Sequence, residues 1–304
     1  MRRVVITGGA GLIGSRLSDL LAGEGYEVVH LTRTAAAGMK YKSYPWDPRQ
    51  GYCDRDAFRD GDAIIHLAGA NIGERPWSRA RRKEIISSRT MTAELVYRSS
   101  VGAGVKPSVY VTASGISIYG SRTAAKIFGE DDPPAGDFLA ETCRLWESAA
   151  DPFAAAGVRV VKIRTAVVLA RKGSALSKMT APARAGLIVR LGPGNQYFPW
   201  IHIDDLCQVY LRAVSDDTMA GPYNAVAPDH ITHDMLMAEV ARQKSLPVFL
   251  PRVPAWALRA ILGEMSVVLT TGSRISSKRL RETGFRFIYP DITSALKACL
   301  NQGI

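Results

Sequence analysis

The stretch VVITGGAGLIGSRL, residues 4 to 17, joins an apolar run to a helical pattern through glycines at every third position. Glycine at these points permits a tight turn, a close backbone approach to a pyrophosphate, and close packing of the helix on the strand. The helix presents free N–H groups and the positive end of its dipole. The context predicts a dinucleotide-binding loop, with a purely structural glycine turn as the alternative. The predicted contacts are Gly8, Gly11, Leu12, Ile13 and Gly14.

The end of the next apolar run indicates which dinucleotide the loop would take. An NAD site usually has Asp or Glu there to hold the ribose 2′-hydroxyl, whereas this chain has Thr32 and Arg33. An arginine can bind a 2′-phosphate through two hydrogen bonds and stack on adenine, which a carboxylate cannot do. These residues favour NADP(H) over NAD(H) as the cofactor, with an ordinary surface arginine as the alternative.

Short apolar runs alternate with helix-length stretches through the first half of the chain. The runs are RVVIT (3–7), EVVHLT (27–32), AIIHLAG (63–69), SVYVTAS (108–114) and VRVVKIRTAVVL (158–169). The helical patterns cover 12–24, 79–102 and 138–156. Such runs are typical of strands buried on both faces of a parallel sheet. The alternation predicts an α/β protein with a Rossmann-type, doubly wound parallel sheet.

The second half has a different pattern, in which Gly and Pro punctuate the sequence and strands are sparse. Helices are predicted at 204–214, 233–244, 254–262, 276–283 and 291–300. We expect a Rossmann domain over 1–170, which a later strand near 221–226 rejoins. A smaller, mainly helical lobe of the substrate-binding type is expected over 171–304.

Composition and cysteine usage limit the class of protein. Hydrophobic residues make up 47% of the 304 residues, and no run approaches the roughly 18 apolar residues of a membrane span. The N-terminus shows no signal-peptide pattern, so we expect a cytoplasmic protein with no membrane partner. The four cysteines are widely spaced and form no CxxC pair, which predicts no metal site and no disulfide framework.

The net charge of +11 raises the question of an anionic partner. The basic residues are spread along the chain, and the one local cluster, RARRK at 79–83, is interpreted as a solvated helix face. We therefore expect no nucleic-acid partner. A small-molecule substrate is expected, with an anionic or nucleotide-linked compound as one option because a cationic protein attracts anions. A homodimer is left open.

Several strings resemble a known family. TGGAGLIG, HLAGANI (66–72), TASGISIYG (112–120) and FPWIHIDDL (198–206) are similar to the NAD(P)-dependent epimerase/dehydratase group of extended short-chain dehydrogenases/reductases. IRTAVVLARKG and GPGNQYFPWIHIDDL resemble its atypical YfcH-like branch, described as nucleotide-sugar epimerases. The similarity runs from residue 1 to about 300, and VPAWALRAILGE resembles the branch's own C-terminal domain, at about 250–300.

This resemblance implies further cofactor contacts. Leu67, Ala68 and Gly69 would follow the third strand at the cofactor. The resemblance also places Glu84 and Arg89 on the long helix facing the cofactor, although their spacing alone suggests solvated charges on neighbouring faces. Val168 would form a wall of the cofactor site by resemblance, and it is a core residue by composition.

The proton relay of the wider superfamily is missing. That relay uses a Tyr phenol and a Lys four residues later on one helix, and no tyrosine here has Lys at that distance. Alignment of the helix in DFLAETCRLW (137–146) places Leu139 at the Tyr position and Cys143 at the Lys position. Neither side chain can replace the relay, because leucine transfers no proton and a thiol carries the wrong charge.

Other side chains near the expected catalytic site each have two interpretations. Ser114 either touches the substrate or caps its loop, and Tyr119 is either a relay phenol or a packed ring. Cys143 is more simply a buried thiol than a nucleophile. Arg164 either meets an anionic substrate or is solvent-exposed.

The cluster of His202, Asp204 and Asp205 resembles a catalytic group, but N-capping by the aspartates is the simpler interpretation. Ser114 and Tyr119 are therefore the catalytic candidates, and no metal ligands are predicted.

Two classes of function are compatible with the sequence. The first is an NADP-dependent epimerase or oxidoreductase that acts on a nucleotide-sugar or another small hydroxyl or carbonyl compound. The second is a non-catalytic NADPH-binding redox sensor or regulatory protein. The intact glycine loop and the substrate-type lobe favour the enzyme, whereas the missing relay favours the sensor.

Overall fold

A central eight-stranded sheet carries helices on both faces in the computed structural model, which describes residues 2–33, 39–59, 61–123, 126–247 and 252–300. The strands are β1 (Arg3–Thr7), β2 (Glu27–Thr32), β3 (Lys42–Asp47), β4 (Tyr52–Cys53), β5 (Gly61–His66), β6 (Val109–Gly115), β7 (Ile127–Phe128), β8 (Arg159–Thr165), β9 (Val167–Leu169), β10 (Trp200–His202), β11 (Gly221–Ala225) and β12 (Arg274–Ile275). The helices are α1 (Leu12–Gly23), α2 (Arg79–Ser99), α3 (Phe138–Ser148), α4 (Asp151–Ala155), α5 (Ala175–Met179), α6 (Ile203–Ser215), α7 (His233–Gln243), α8 (Ala255–Leu262), α9 (Val267–Thr270), α10 (Lys278–Glu282) and α11 (Ile292–Leu300).

The strand order of the main sheet is β11-β8-β6-β5-β1-β2-β3-β4. Every neighbouring pair is parallel except β3 and β4, which are antiparallel. The chain reverses its direction of progress through the sheet between β1 and β5. In an open α/β sheet, this switch point and the carboxyl ends of the strands beside it are where ligands bind.

Alternate residues of β1 enter two different cores. Val4 and Ile6 pack with Leu17 of α1 on one face, and Val5 packs with Val96 of α2 on the other. Because successive side chains of a strand point to opposite faces, helices must cover both. This arrangement confirms the predicted doubly wound α/β sheet.

Two predicted elements are each divided in the structure. The run 158–169 forms β8 and β9, and β9 pairs with β10 outside the main sheet. The break comes at Ala166, whose N–H donates to the carbonyl oxygen of Ala225. The stretch 138–156 forms α3 and α4, because Pro152 lacks an N–H and starts a new helix in its first turn. The predictions of one strand over 158–169 and one helix over 138–156 were therefore wrong.

The C-terminal region has its own core, in which Leu169, Trp200, Leu236 and Leu296 are buried. The helices at the five predicted places in this region have closely similar bounds. β11 pairs with β8 at the edge of the main sheet, so the chain does return to that sheet near 221–226. The division into domains at residue 170 stays a prediction.

Two strands of the main sheet were not predicted. β3 has the sequence KSYPWD, which contains no apolar run and has a proline in its middle. It lies next to the two-residue β4 at one edge, where one face is half-exposed and a proline is tolerated.

No helix in the described part of the chain combines the length and apolarity needed to cross a membrane.

Candidate functional site

Two glycines of the loop occupy positions where the surrounding backbone leaves no room for a larger residue. Gly8 has a φ of +73°, and a Cβ on it would lie 3.1 Å from the backbone nitrogen of Ala68. A Cβ on Gly14 would overlap the Gly8 carbonyl oxygen and lie 2.7 Å from the Cα of Gly9. Gly11, the N-cap of α1, makes no side-chain cap. The first-turn N–H groups are thus left for an anion.

A cavity of about 770 Å³ opens beside this loop, at the carboxyl ends of β1, β2 and β5; we call it the larger cavity. The predicted cofactor contacts that line it are Gly8, Gly11, Thr32, Arg33, Leu67, Ala68, Gly69 and Glu84. Sequence reasoning missed Trp46 and Arg49, which also line it, because β3 was not predicted. His30, from β2, lines it as well.

The other predicted cofactor contacts lie outside the lining of the larger cavity. Leu12, Ile13 and Gly14 belong to the first turn of α1, where Gly14 packs beneath the loop. Val168 is half-buried in β9 against the main core and lines neither cavity described here. Arg89 lines a second cavity. Cofactor contact by these residues stays a prediction.

An ion-pair cluster closes one side of the larger cavity. Arg81 is buried and donates to Glu74 and Glu84 at 2.8 and 2.9 Å, and to the carbonyl oxygen of Asn71. Arg75 also binds Glu84, at 2.6 Å. The guanidinium groups of Arg81 and Arg75 hold the pKa of the Glu84 carboxyl below its usual range, and Arg81 has the larger effect. The prediction that 79–83 is a solvated face was therefore wrong for Arg81, which ties the loop after β5 to α2.

Arg89 lies at the boundary between the two cavities. Its guanidinium is buried, donates to the carbonyl oxygens of Ile85 and Ala70, and sits 4.6 Å from the ring centre of Trp146. A Cβ on Gly69 would lie 3.1 Å from the Arg89 Cζ. Burial lowers the pKa of Arg89 to about 10, so the group remains a cation at neutral pH. The alternative interpretation of Arg89 as a solvated charge was wrong, and its contact with the cofactor stays a prediction.

The helix with the missing relay lies beside a second cavity, of about 310 Å³, which we call the smaller cavity. Leu139 and Cys143 of α3 both line it, and so do Ser114 and Tyr119. The sequence predicted that Leu139 and Cys143 occupy the two relay positions. The structure brings the side chains of both residues to one cavity with Ser114. Their chemistry supplies no proton relay.

The Cys143 thiol is held in its protonated form. The side chain is buried, and a Cβ on Gly115 would lie 3.4 Å from its Sγ. Burial, reinforced by the Glu147 carboxylate, raises the pKa of this thiol to about 12. Since the thiolate is the reactive form, Cys143 is a packing residue and not a nucleophile.

A buried hydrogen-bond network runs beneath the smaller cavity. Ser114 Oγ donates to Glu147 Oε1 at 2.8 Å. Arg164 donates to both carboxylate oxygens of Glu147, at 2.8 and 3.0 Å, and to the Tyr119 hydroxyl oxygen at 2.9 Å. The Tyr119 O–H donates to Asn224 Oδ1 at 2.7 Å. Arg164 is therefore neither solvent-exposed nor free for an anionic substrate, and both interpretations from the sequence were wrong.

The network assigns roles to the two catalytic candidates. The Tyr119 hydroxyl donates and accepts within it, and burial raises the pKa of this phenol to about 12. These contacts favour the packed ring over the relay phenol. The Ser114 O–H donates a hydrogen bond to Glu147, and its oxygen keeps a lone pair that can accept a second hydrogen bond.

The HIDD motif at 202–205 supports the fold. His202 caps α6, because its Nδ1 accepts from the backbone N–H of Asp204 at 3.2 Å. Asp204 pairs with Arg16 at 2.6 Å. Asp205 is fully buried and accepts from the backbone N–H groups of Ile288 and Tyr289. Capping was predicted at this place, but the capping side chain is the histidine.

His233, which sequence reasoning missed, also lines the smaller cavity. It is the first residue of α7, after the N-cap Thr232, and only 2% of its surface is exposed. Neither ring nitrogen has a hydrogen-bond partner among the described residues. Burial lowers the pKa of this imidazole, which is neutral at physiological pH. A lone histidine after a helix cap carries no signal by which the sequence could have revealed it.

Comparison with known proteins places the chain in a family. The model of the NAD dependent epimerase/dehydratase family matches residues 4–225, and that of a domain of unknown function, DUF1731, matches residues 253–299. This chain belongs to the NAD dependent epimerase/dehydratase family. An epimerase family protein of Mycobacterium leprae is 34% identical over 294 residues, which are 96% of this chain and 94% of that protein.

Solved structures of similar proteins agree with this assignment. The human epimerase family protein SDR39U1, crystallised with NADPH, is 30% identical and superposes with a TM-score of 0.87, over 98% of this chain and 99% of that one. MoeE5 in complex with UDP-glucose and NAD, at 22% identity, has a TM-score of 0.80 over 97% and 96% of the chains and shows the common fold. The family resemblance of the sequence is confirmed.

In this epimerase/dehydratase family member, the helix α3 beside the smaller cavity contains neither tyrosine nor lysine. Leu139 and Cys143 stand at the predicted relay positions, and the Tyr119 hydroxyl is engaged in the network. Among the described residues, no group of three or more His, Cys, Asp or Glu side chains could hold a metal ion. The other polar side chains that line this cavity carry hydroxyl, amide and imidazole groups.

Proposed function

We propose that this family member binds NADP(H) in the larger cavity and acts on a hydroxyl or carbonyl compound in the smaller one. The observation that carries the proposal is the adjacency of the two cavities. Ala70 and Asn71 line the larger cavity, whereas the next residue, Ile72, lines the smaller one. When bound, the cofactor would supply or accept a hydride.

The larger cavity fits a dinucleotide. The Gly8 and Gly14 contacts leave no room for side chains at the loop, and the uncapped N-terminus of α1 suits a pyrophosphate. Arg33 is exposed at the carboxyl end of β2, where it would pair with a 2′-phosphate. NADPH in the human relative supports NADP(H) as the cofactor, although MoeE5 holds NAD.

In the smaller cavity, the chain's own groups would orient the substrate. The Ser114 O–H donates a hydrogen bond to Glu147, so its oxygen would accept a hydrogen bond from a substrate hydroxyl. Arg89, at the boundary, keeps a fixed positive charge because Ala70 and Ile85 hold it in place. The reaction class is therefore an oxidation, reduction or epimerisation with no tyrosine–lysine relay.

A second candidate function has a specific observation in its favour. A leucine and a protonated thiol at the relay positions suit a protein that binds NADPH without turnover. Such a protein would report the redox state of the NADP pool to a partner, as a sensor.

The experiment that tests the proposal begins with the purified protein. We expect NADPH or NADP⁺ to accompany it, and to be identified by mass spectrometry after denaturation. NADPH oxidation is then followed at 340 nm over a panel of ketones, aldehydes and nucleotide-sugars, with a glycine-loop variant, Gly14→Ala, as the control. Turnover that the variant lacks supports the enzyme. Tight NADPH binding with no turnover over the panel supports the sensor, and absence of nucleotide binding overturns both.

A further inference from the structure

We infer that His233 is a substrate-binding residue, and that the ligand of the smaller cavity is an uncharged, largely apolar hydroxyl or carbonyl compound. This inference rests on the proposed function, whose substrate it narrows. It starts from a buried imidazole that lines the smaller cavity and has no hydrogen-bond partner among the described residues.

The first observation is that His233 is buried without hydrogen bonds. Both ring nitrogens lack a partner among the described residues, although the side chain lines an open cavity. Buried polar groups in folded proteins almost always have a partner, since an unpaired one costs free energy. The contrast with His66 is direct, because His66 Nδ1 bonds to Thr7 Oγ1 at 2.9 Å and its Nε2 bonds to Thr92 Oγ1 at 3.1 Å.

A second unpaired donor lines the same cavity. The indole N–H of Trp146 has no acceptor among the described residues, and its side chain is buried beneath the Arg89 guanidinium. A neutral imidazole offers one N–H and one lone pair, and the indole offers one N–H. His233 and Trp146 therefore both line the smaller cavity with polar groups that have no partner among the described residues; a ligand hydroxyl can donate or accept a hydrogen bond at such groups, whereas a carbonyl oxygen can only accept one.

The charge on the imidazole is set by its neighbours as well as by burial. Arg190 and Arg252 are the nearby cations, and both are paired with the Asp234 carboxylate. Burial acts first to lower the pKa of His233, with the two arginines in the same direction and Asp234 opposing. None of these three charged residues lines the smaller cavity.

The lining of the cavity excludes a strongly charged ligand. Among the described residues that line it, Arg89 is the one charged side chain, and its guanidinium already donates to two carbonyl oxygens. Apolar side chains form much of the remaining wall, including Leu139, Met179, Phe198, Val267 and Ile275. A pyrophosphate would lose its hydration here with no pair of cations to replace it.

The volume points to the same class of ligand. At about 310 Å³, the cavity is at the small end of the range for ligand pockets, which is roughly 300 to 1,000 Å³. That space suits an aromatic or alicyclic ketone or alcohol better than a nucleotide-sugar.

The test measures binding separately from turnover. Acetophenone, cyclohexanone, benzyl alcohol and UDP-glucose are titrated by calorimetry into the protein, with and without saturating NADPH. The variants are His233→Leu, His233→Gln, and a control, His230→Leu, whose exposed side chain lies outside the cavity lining. We expect at least one neutral compound to bind and UDP-glucose not to bind.

His233→Leu should weaken that binding about tenfold, the effect of one lost hydrogen bond, while His233→Gln retains part of it and His230→Leu retains all. A structural histidine would behave differently in thermal unfolding. Because His233 has no partners to lose, the Tm of His233→Leu should equal or exceed that of the parent, whereas the Tm of His66→Leu should fall.

Three results would overturn the inference: equal binding by His233→Leu, a lowered Tm for that variant, or binding of UDP-glucose with none of the neutral compounds. The proposed function fails in a different way. If the neutral compounds bind through His233 but the protein binds no NADPH, the assignment of His233 stands and the NADP(H)-dependent function does not.

Discussion

The two cavities of this protein lie side by side and are built on opposite principles. The larger one is lined by glycine backbone, an exposed arginine and an ion-pair cluster around Arg81, whose members bond to one another. The smaller one is lined by apolar side chains together with hydroxyl and amide groups, and by one imidazole, His233, that has no hydrogen-bond partner among the described residues.

The larger cavity would recognise its ligand through backbone N–H groups and charged side chains, whereas the smaller cavity would recognise its ligand mainly through shape. A glycine loop and a helix N-terminus can hold a dinucleotide whatever substrate an enzyme acts on, so they are compatible with many reactions. Under the proposed function, the specificity for the substrate would come from the apolar wall and the polar groups of the smaller cavity. Four substitutions test how far the contrast holds.

The largest effect on cofactor binding is expected from Gly14→Ala at the larger cavity. The added methyl group would overlap the Gly8 carbonyl oxygen, and backbone cannot move aside as a flexible side chain does. Overpacking of this kind costs about 3 kcal/mol in stability, and displacement of the loop should abolish measurable NADPH binding. Urea unfolding and NADPH fluorescence titration measure the two effects.

Gly23→Ala is the matched control, because it lies in the same helix with no atom within 4 Å of the added methyl group. It should raise stability by about 0.5 to 1 kcal/mol, as alanine does in a helix. Equal stability of the two variants would show that the loop is not tightly packed.

The largest effect on stability alone is expected in the network beneath the smaller cavity. Glu147→Gln leaves the buried Arg164 guanidinium without its carboxylate, which costs about 3 to 5 kcal/mol. Glu141→Gln, in the exposed pair with Arg144 on the same helix, serves as the control and should leave stability unchanged within error. Both are measured by urea unfolding. A small loss in Glu147→Gln would mean that apolar packing alone supports this cavity.

His66 should make the stability of the protein depend on pH. Burial lowers its pKa to about 4 from an ordinary value of 6.5, so the neutral ring stabilises the fold. That contribution is fully present above pH 6.5 and is lost as the pH falls towards 4, because the unfolded chain binds the proton first. The loss is on the order of 3 kcal/mol.

Chemical unfolding at several pH values measures this slope. His66→Gln, although less stable, should show a shallower decline of the free energy of unfolding between pH 6.5 and 4. Parallel curves for the parent and the variant would show that other groups cause the decline.

The smallest effect is expected at the exposed rim of the larger cavity. Arg33→Ala should weaken NADPH binding about tenfold and NADH binding much less, because only NADPH carries the 2′-phosphate whereas both cofactors contain the adenine. Arg171→Ala, an exposed arginine outside both cavity linings, is the control. Equal loss for the two cofactors would remove the argument for NADP(H).

The sequence predicted most of the fold because its signals are local. Buried strands such as β1 and β2 show as apolar runs, and helix bounds follow from periodicity and caps. The edge strand β3 was missed because its exposed face needs no apolar run. The sequence predicted β8 and β9 as one strand. The break between them comes at Ala166, whose N–H donates a hydrogen bond to the carbonyl oxygen of Ala225, far along the chain.

The glycine loop is the part of the site that the sequence determined by itself. Its contacts join residues a few positions apart, as when the Gly11 N–H donates to the Gly8 carbonyl oxygen at 3.0 Å. The absence of a tyrosine–lysine relay on α3 was also readable, because a relay of this kind has a fixed spacing on one helix.

Only the tertiary structure decided what surrounds those positions. The Tyr119 hydroxyl meets Asn224, 105 positions away, which turns a candidate phenol into part of a buried network. His233 reaches the cavity of Leu139 and Cys143 because the C-terminal region packs across the carboxyl ends of the strands. Whether a buried polar group has a partner depends on distances across the fold, and a one-dimensional pattern does not contain them.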